Sequence, residues 1–345
     1  MLRLQLTLIM ASLKRKIKYY IIWIKELFRF CPYRKINIDK EHLFLNCGHR
    51  GSPVNEPENT IPSFERAMRE GANSLETDLC VTKDREVILW HDWNPDELVA
   101  LIREGGFEPE VSYKPDFPSP FSGFRMETSE LTLQEFRAHY NYIKKGGDEP
   151  VGAYIPVLED FIKWLSDKEK IKYVFLDLKV PSDEKELVIA ILDKLDELVK
   201  KYNPSCKFIL ETFSKEVLET GKFKYPNLNY CLDVQIPLGF IFFPWLHSSV
   251  KVAAMNKNRI ALVLRPRQIT IGSWMTYRRV IRFDVRKKKQ HNKKNQDEQI
   301  DFLIGCTVND KREMECLIKK GINGMQTDYP RRLTNLVKQY ELKRE

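Results

Sequence analysis

The sequence predicts an α/β fold, a closed parallel barrel of the TIM type. Two observations carry this expectation. From residue 43 on, short β-rich runs alternate with helical stretches, the pattern of a largely parallel sheet. Ionisable residues then recur where those runs end: His49 and Arg50, Glu76 and Asp78, His91 and Asp92, Asp177 and Lys179. In such barrels the chemistry sits at the C-terminal ends of the strands.

The strand candidates are 43–47, 73–81, 86–91, 172–180, 207–213, 228–234, 259–265, 301–308 and 324–328. Each is a short run rich in β-branched, aromatic or other apolar residues. Helices are expected over 61–70, 158–165, 183–201, 215–221, 310–320 and 330–343. The first of these follows Thr60 as N-cap, with Pro62 in its first turn. Nine strand candidates compete for eight barrel places. Either "EVILWH" is the return arm of a hairpin turned at "TKDRE", or "RIALVLR" is peripheral.

Two segments exceed the length of a tight βα loop. Residues 93–156 are rich in Pro, Gly and aromatics and are expected to form a small subdomain over the barrel mouth. Residues 235–300 form an extended basic and aromatic segment containing "IPLGFIFFPW" and "RKKKQHNKKN". Residues 1–40 read as a basic extension and 41–345 as the barrel domain. The longest uncharged run of the extension, Leu4–Leu13, is too short to span a bilayer as a helix. Its mix of apolar, aromatic and lysine residues suits an amphipathic helix at a membrane surface, or an ordinary helix packed on the body. The aromatic run admits the same two readings.

The balance of charge is basic, 57 Lys and Arg against 48 Asp and Glu, which favours an anionic partner without naming it. Nucleic acid is not expected, because the basic residues are not interleaved with aromatics on a strand face. The run 286–295 reads as a solvated helix face. The seven cysteines form no C-x-x-C pair, so a reducing, cytoplasmic compartment is expected; peripheral membrane contact through the N-terminus and residues 236–246 is left open beside it.

Glu76 and Asp78 lie two apart on a strand and point to one face. Asp177 and Lys179 repeat that spacing within "FLDLK". Charges among Leu, Val and Phe on a buried strand are unfavourable unless paired or bound to metal. Glu76, Asp78 and Asp177 therefore read as three hard oxygen ligands, suited to Mg²⁺ or Ca²⁺. Arg50 and Lys179 offer positive charge to a phosphate. His49 and His91 can divide two proton transfers. The set describes phosphodiester cleavage.

The motifs "HRG" with "PENT", "ETD", "HD", "LDLK", "TVND" and "GINGMQTDYP" resemble, in order, those of the glycerophosphodiester phosphodiesterases, across about residues 45–335. The resemblance implies a TIM barrel, a divalent metal and an acid/base histidine pair. It places His49 and His91 as the catalytic pair and Arg50 and Lys179 on phosphate, with Glu76, Asp78 and Asp177 as metal ligands. Gly51 would allow close backbone approach. Glu58, Asn59 and Thr60 would brace the loop and cap the next helix, and Asp92 would support the site. Asp328 reads as bracing a loop. Two departures stand out: Asp177 where the family has Glu, and Cys306 where it has Trp.

The expected function is metal-dependent hydrolysis of glycerophosphodiesters to glycerol phosphate and an alcohol. The lost Trp, aromatic run and basic N-terminus leave a second reading open, a lysophospholipase D-like enzyme on lysophospholipids at a membrane surface. A barrel that binds phospholipid without cleaving it is disfavoured by the presence of both histidines and all three carboxylates.

Overall fold

A computed structural model describes residues 43–212, 214–225, 228–235, 259–265, 285–286, 288–290, 292–293 and 302–342. The N-terminal extension, the aromatic run 236–246 and part of the basic run 286–295 lie outside the described residues. Within the basic run, Arg286, Lys289 and Lys293 are exposed. Among the described residues no helix is long and apolar enough to cross a membrane.

Eight parallel strands form the barrel: β1 (Leu45–Gly48), β2 (Ser74–Val81), β6 (Tyr173–Leu178), β7 (Lys207–Thr212), β8 (Asn229–Gln235), β9 (Arg259–Arg265), β10 (Phe302–Gly305) and β11 (Gly324–Thr327). They pair consecutively round the ring, and β1 pairs with both β2 and β11, which closes it. The competition for barrel places is resolved by β3 (Val87–Leu89), which runs antiparallel to β2 as a hairpin arm, with Leu79 opposite Leu89. The "RIALVLR" run is β9, a full barrel member.

Two apolar layers follow from strand alternation. One side chain set faces inward, where Leu45, Cys47, Phe175, Ile209, Phe302, Ile304 and Cys306 pack together. The other set faces the helices. There Leu75, Leu79, Val174 and Leu176 meet side chains from α1 (Ile61–Arg69), α4 (Leu158–Leu165) and α5 (Lys185–Tyr202). Phe64 of α1 is fully buried and lies 4.7 Å from Phe161 of α4, ring to ring. Burying one such side chain contributes about 1.5–3 kcal/mol. Farther along the chain come α6 (Lys215–Lys224), α7 (Lys311–Lys320) and α8 (Pro330–Leu342). All six described cysteines are buried, consistent with their reading as small hydrophobes.

Between β3 and α4 the chain forms α2 (Leu98–Glu104), β4 (Tyr113–Asp116), α3 (Leu133–His139) and β5 (Asn141–Lys144). β4 and β5 pair antiparallel as a separate two-stranded sheet. Sequence periodicity did not resolve these elements, because each spans only one or two turns or four residues. Trp90, just after β3, fixes the start of this segment: its ring packs edge-on against Phe136 at 5.3 Å.

Candidate active site

His49 and Arg50 follow directly on β1, where the chain turns sharply. Arg50 has φ 51° and Gly51 φ 90°. A Cβ on Gly51 would run into Ser63 of α1, so glycine is required both by the backbone angle and by the close approach. Ser63 Oγ accepts from the Ser52 amide at 2.8 Å and donates to the Arg50 carbonyl at 3.0 Å. Thr60 caps α1, its side chain accepting from the Ser63 amide. Asn59, itself at φ 55°, donates from its amide to Asp78 Oδ2 at 2.9 Å and accepts from Thr77 at 2.8 Å. The "PENT" residues therefore tie the β1 loop to β2.

Histidine 49 is buried, and its Nδ1 lies 2.7 Å from Asp328 Oδ1, at the end of β11. Its Nε2 lies 3.9 Å from Glu76 Oε2. Burial and the Arg50 guanidinium act to lower its pKa, but Glu76 and Asp328 outweigh them and hold it above the ordinary value. His91 is biased the other way. Burial and the positive charges of Arg50, Arg103 and Lys179 push its pKa well down. Its Nδ1 lies 2.8 Å from Asp92 Oδ1. Thus the surroundings bias the two histidines in opposite directions, His49 toward the protonated ring and His91 toward the neutral one. Asp328, read from the sequence as bracing a loop with a role near the site also open, is the direct partner of His49.

The three carboxylates expected as metal ligands divide into two groups. Glu76 and Asp177 join Glu211 of β7, each offering an oxygen within 4.8 Å of the others, and all three are buried. Asp78 is instead surrounded by cations. Lys179 Nζ lies 3.0 Å from its Oδ1 and Arg50 Nε 3.1 Å from its Oδ2. Burial would raise its pKa, but these two charges and the Asn59 amide hold it well below the carboxylate range. Lys179 also reaches Asp177 Oδ2 at 2.7 Å. Glu76 is pushed up to about 7 by burial and by the neighbouring Asp78 and Asp177 charges.

Sequence reasoning did not select Glu211. Its signal was the one that marked Asp177: an acidic residue inside an apolar strand, "KFILETF". It also did not select Arg103 and Glu108, which come from α2 and the loop after it. Arg103 is buried and binds Asp92 at 3.0 Å, and it contacts Glu58 and Glu108 as well. Glu58 in turn accepts from Arg50 Nη1 at 2.8 Å, and Glu108 approaches the same nitrogen at 3.2 Å. Nothing in the local pattern of residues 93–108 marks Arg103 and Glu108 for the site, because Glu58 and Arg50, which they meet there, come from the loop after β1. Cys306, in the place expected for an aromatic, is buried in the barrel interior.

The donor set fits a hard divalent cation. It consists of carboxylate oxygens, and Glu76 Oε1 is buried without a hydrogen-bond partner, a state that binding an ion would relieve.

Comparison with known proteins agrees with this geometry. Residues 49–332 match the model of the Glycerophosphoryl diester phosphodiesterase family. A glycerophosphodiester phosphodiesterase of Caldanaerobacter subterraneus subsp. tengcongensis is 29% identical over 294 residues, 85% of this chain and 98% of that protein. One from Bacillus subtilis is 25% identical over 309 residues, 86% of this chain and 87% of that protein. Among solved structures, an Oleispira antarctica phosphodiesterase in complex with the product sn-glycerol-3-phosphate superposes with a TM-score of 0.55 at 18% identity, covering 85% of this chain and 96% of that one. The fold, the ordered motifs and the match over most of the chain place this protein in the glycerophosphodiester phosphodiesterase family, as an enzyme of that family.

Proposed function

We propose that the protein hydrolyses glycerophosphodiesters to glycerol phosphate and an alcohol, using a divalent cation, Mg²⁺ or Ca²⁺, and two histidines. The observation that carries this reading is the opposite electrostatic bias of His49 and His91 around one set of buried carboxylates. Neutral His91, with Nδ1 turned to Asp92, has its other nitrogen available to take a proton from the attacking water. Cationic His49, anchored through Nδ1 to Asp328, donates from Nε2 to the leaving alkoxide. One P–O bond forms and one breaks, and each histidine moves one proton.

Glu76 and Asp177 would hold the cation, which when bound supplies Lewis-acid stabilisation to the phosphoryl oxygens. Arg50, paired with Asp78, and Lys179, paired with Asp78 and Asp177, supply positive charge for the phosphate.

Asp328→Asn tests the role given to His49. The Asp328 carboxylate raises the His49 pKa, so its removal lowers that pKa. An acid must be protonated to act, so activity is lost as pH rises through the His49 pKa. The basic limb of the kcat profile is therefore expected to move to lower pH in the variant, with the acidic limb unmoved. A profile of kcat against pH checks this.

The substrate class is tested by phosphate-ester turnover with glycerophosphocholine and lysophosphatidylcholine, using His49→Ala as control. Turnover of glycerophosphocholine, lost in the variant, is expected. Turnover confined to lysophosphatidylcholine would reassign the enzyme to lipid-tailed substrates. Turnover of neither would favour a barrel that binds phospholipid without cleaving it.

A further inference from the structure

We propose that the outer face of the insertion is a docking surface for a lipid layer with zwitterionic phosphocholine headgroups, which seats the barrel mouth on that layer. The inference goes beyond the reaction and holds whichever phosphodiester is cleaved. It starts from an inversion in α2, "LVALIRE". A surface helix ordinarily turns its apolar stripe inward and its charges to water. In α2 the arginine is inside and the aliphatic side chains are outside. Arg103 is buried at the site, bound to Glu58, Asp92 and Glu108. Leu98 is 68% exposed, and Val99, Leu101 and Ile102 are exposed with it. Two phenylalanines extend this face. Phe107, 78% exposed, lays its ring against Gly105 at the end of the helix, and Phe121 is 98% exposed. Arg125 ties the loop that carries Phe121 to both ends of α2, through Asp96 Oδ1 at 2.7 Å and Glu104 Oε2 at 2.9 Å.

Large apolar side chains held out in water by neighbouring segments mark an interaction surface. Their type points to lipid. Protein interfaces concentrate binding energy in Trp, Tyr and Arg anchors, with Leu and Val under-represented. Here the exposed residues are Leu, Val, Ile and Phe, and the two arginines beside them, Arg103 and Arg125, are held by carboxylates. Aliphatic side chains and Phe on a short helix suit burial at a headgroup boundary. Charge decides the kind of lipid. Asp96 and Glu104 are paired with Arg125, and the Lys114 and Lys145 ammonium groups donate to the backbone carbonyls of Glu104 and Glu108. Glu97, just before α2, and Glu110, just after Phe107, are exposed. An anionic layer would repel these carboxylates. A phosphocholine layer carries its quaternary ammonium outermost and complements them.

The test is co-sedimentation of the full chain with phosphatidylcholine vesicles. Wild type, Phe121→Ser, the double variant Phe107→Ser with Phe121→Ser, and Phe223→Ser would be compared after circular dichroism has established folding. Phe223, on α6 and outside the insertion, is 91% exposed, so it controls for the loss of any exposed ring. Wild type is expected to bind the vesicles. Phe121→Ser is expected to weaken binding, the double variant to weaken it by at least about tenfold through the loss of two buried rings, and Phe223→Ser to match wild type. A wild-type chain that does not bind, a double variant that binds like wild type, or a Phe223→Ser loss as large as that of the double variant would each overturn the inference. So would a wild-type dimer, seen by sedimentation velocity, that the double variant dissociates, since the patch would then belong to a second copy of the chain. Glycerophosphocholine is soluble, so its turnover is expected to be equal in wild type and the double variant, and failure of the docking surface would leave the proposed reaction standing.

Discussion

Replacing either His49 or His91 by alanine is expected to lower kcat on glycerophosphocholine by about 10²–10⁴-fold, the range for loss of a positioned acid or base. The two variants should not behave alike. Glu76 and Asp328 raise the His49 pKa against burial and Arg50, which suits it to the proposed role of acid on the leaving oxygen. Burial and the charges of Arg50, Arg103 and Lys179 lower the His91 pKa, which suits it to the proposed role of base on water. A p-nitrophenyl phosphodiester has a leaving group that needs little protonation. With it, most of the His49→Ala deficit should disappear, while the His91→Ala deficit remains. Equal deficits on both substrates would contradict the assignment of roles.

Replacing Arg103 by methionine is expected to destabilise the fold by about 3–5 kcal/mol, the range for breaking a buried ion pair from one side. Arg103 is buried among Glu58, Asp92 and Glu108. Methionine matches much of its aliphatic stem but leaves these carboxylates without their shared cation. Asp92 shows the cost directly: burial already raises it to about 6, against the opposing pull of Arg103. Its folded pKa lies above its ordinary value, so its ionisation weakens the fold as pH rises through that interval. Without Arg103 the penalty at neutral pH grows. The loss should therefore be smaller at pH 5 than at pH 8, where Asp92 is more fully ionised. Denaturant melts at the two pH values check both magnitude and sign. Because Asp92 holds His91, the variant should also lose activity.

The barrel was legible because its strands are short apolar runs whose ionisable ends stand out. "LFLNC", "NSLETDLCV" and "KYVFLDLKV" all correspond to strands, with ends within two residues of those expected. The six expected helices form as well. The competition between "EVILWH" and "RIALVLR" could not be resolved from sequence, since a hairpin arm and a parallel strand have the same apolar pattern. Within the site, His49, Arg50, Glu58 and Asn59 were legible because one loop carries them all. Pairings across the barrel were not. Asp328 meets His49 from 279 residues away in the chain, and Gln326 meets Glu211 from 115 away. The separation of Asp78 from the acidic cluster depends on where Lys179 and Arg50 direct their charge. Strand spacing alone makes Asp78 and Asp177 equivalent, and only side-chain geometry distinguishes them.

The most direct test of the account is hydrolysis of glycerophosphocholine by the purified chain after dialysis against EDTA, with and without added Mg²⁺ or Ca²⁺, following formation of glycerol phosphate. The account predicts that EDTA abolishes turnover, that one of these ions restores it, and that Glu76→Gln is not restored by either. Turnover that survives EDTA undiminished, or a fully active Glu76→Gln enzyme, would contradict it.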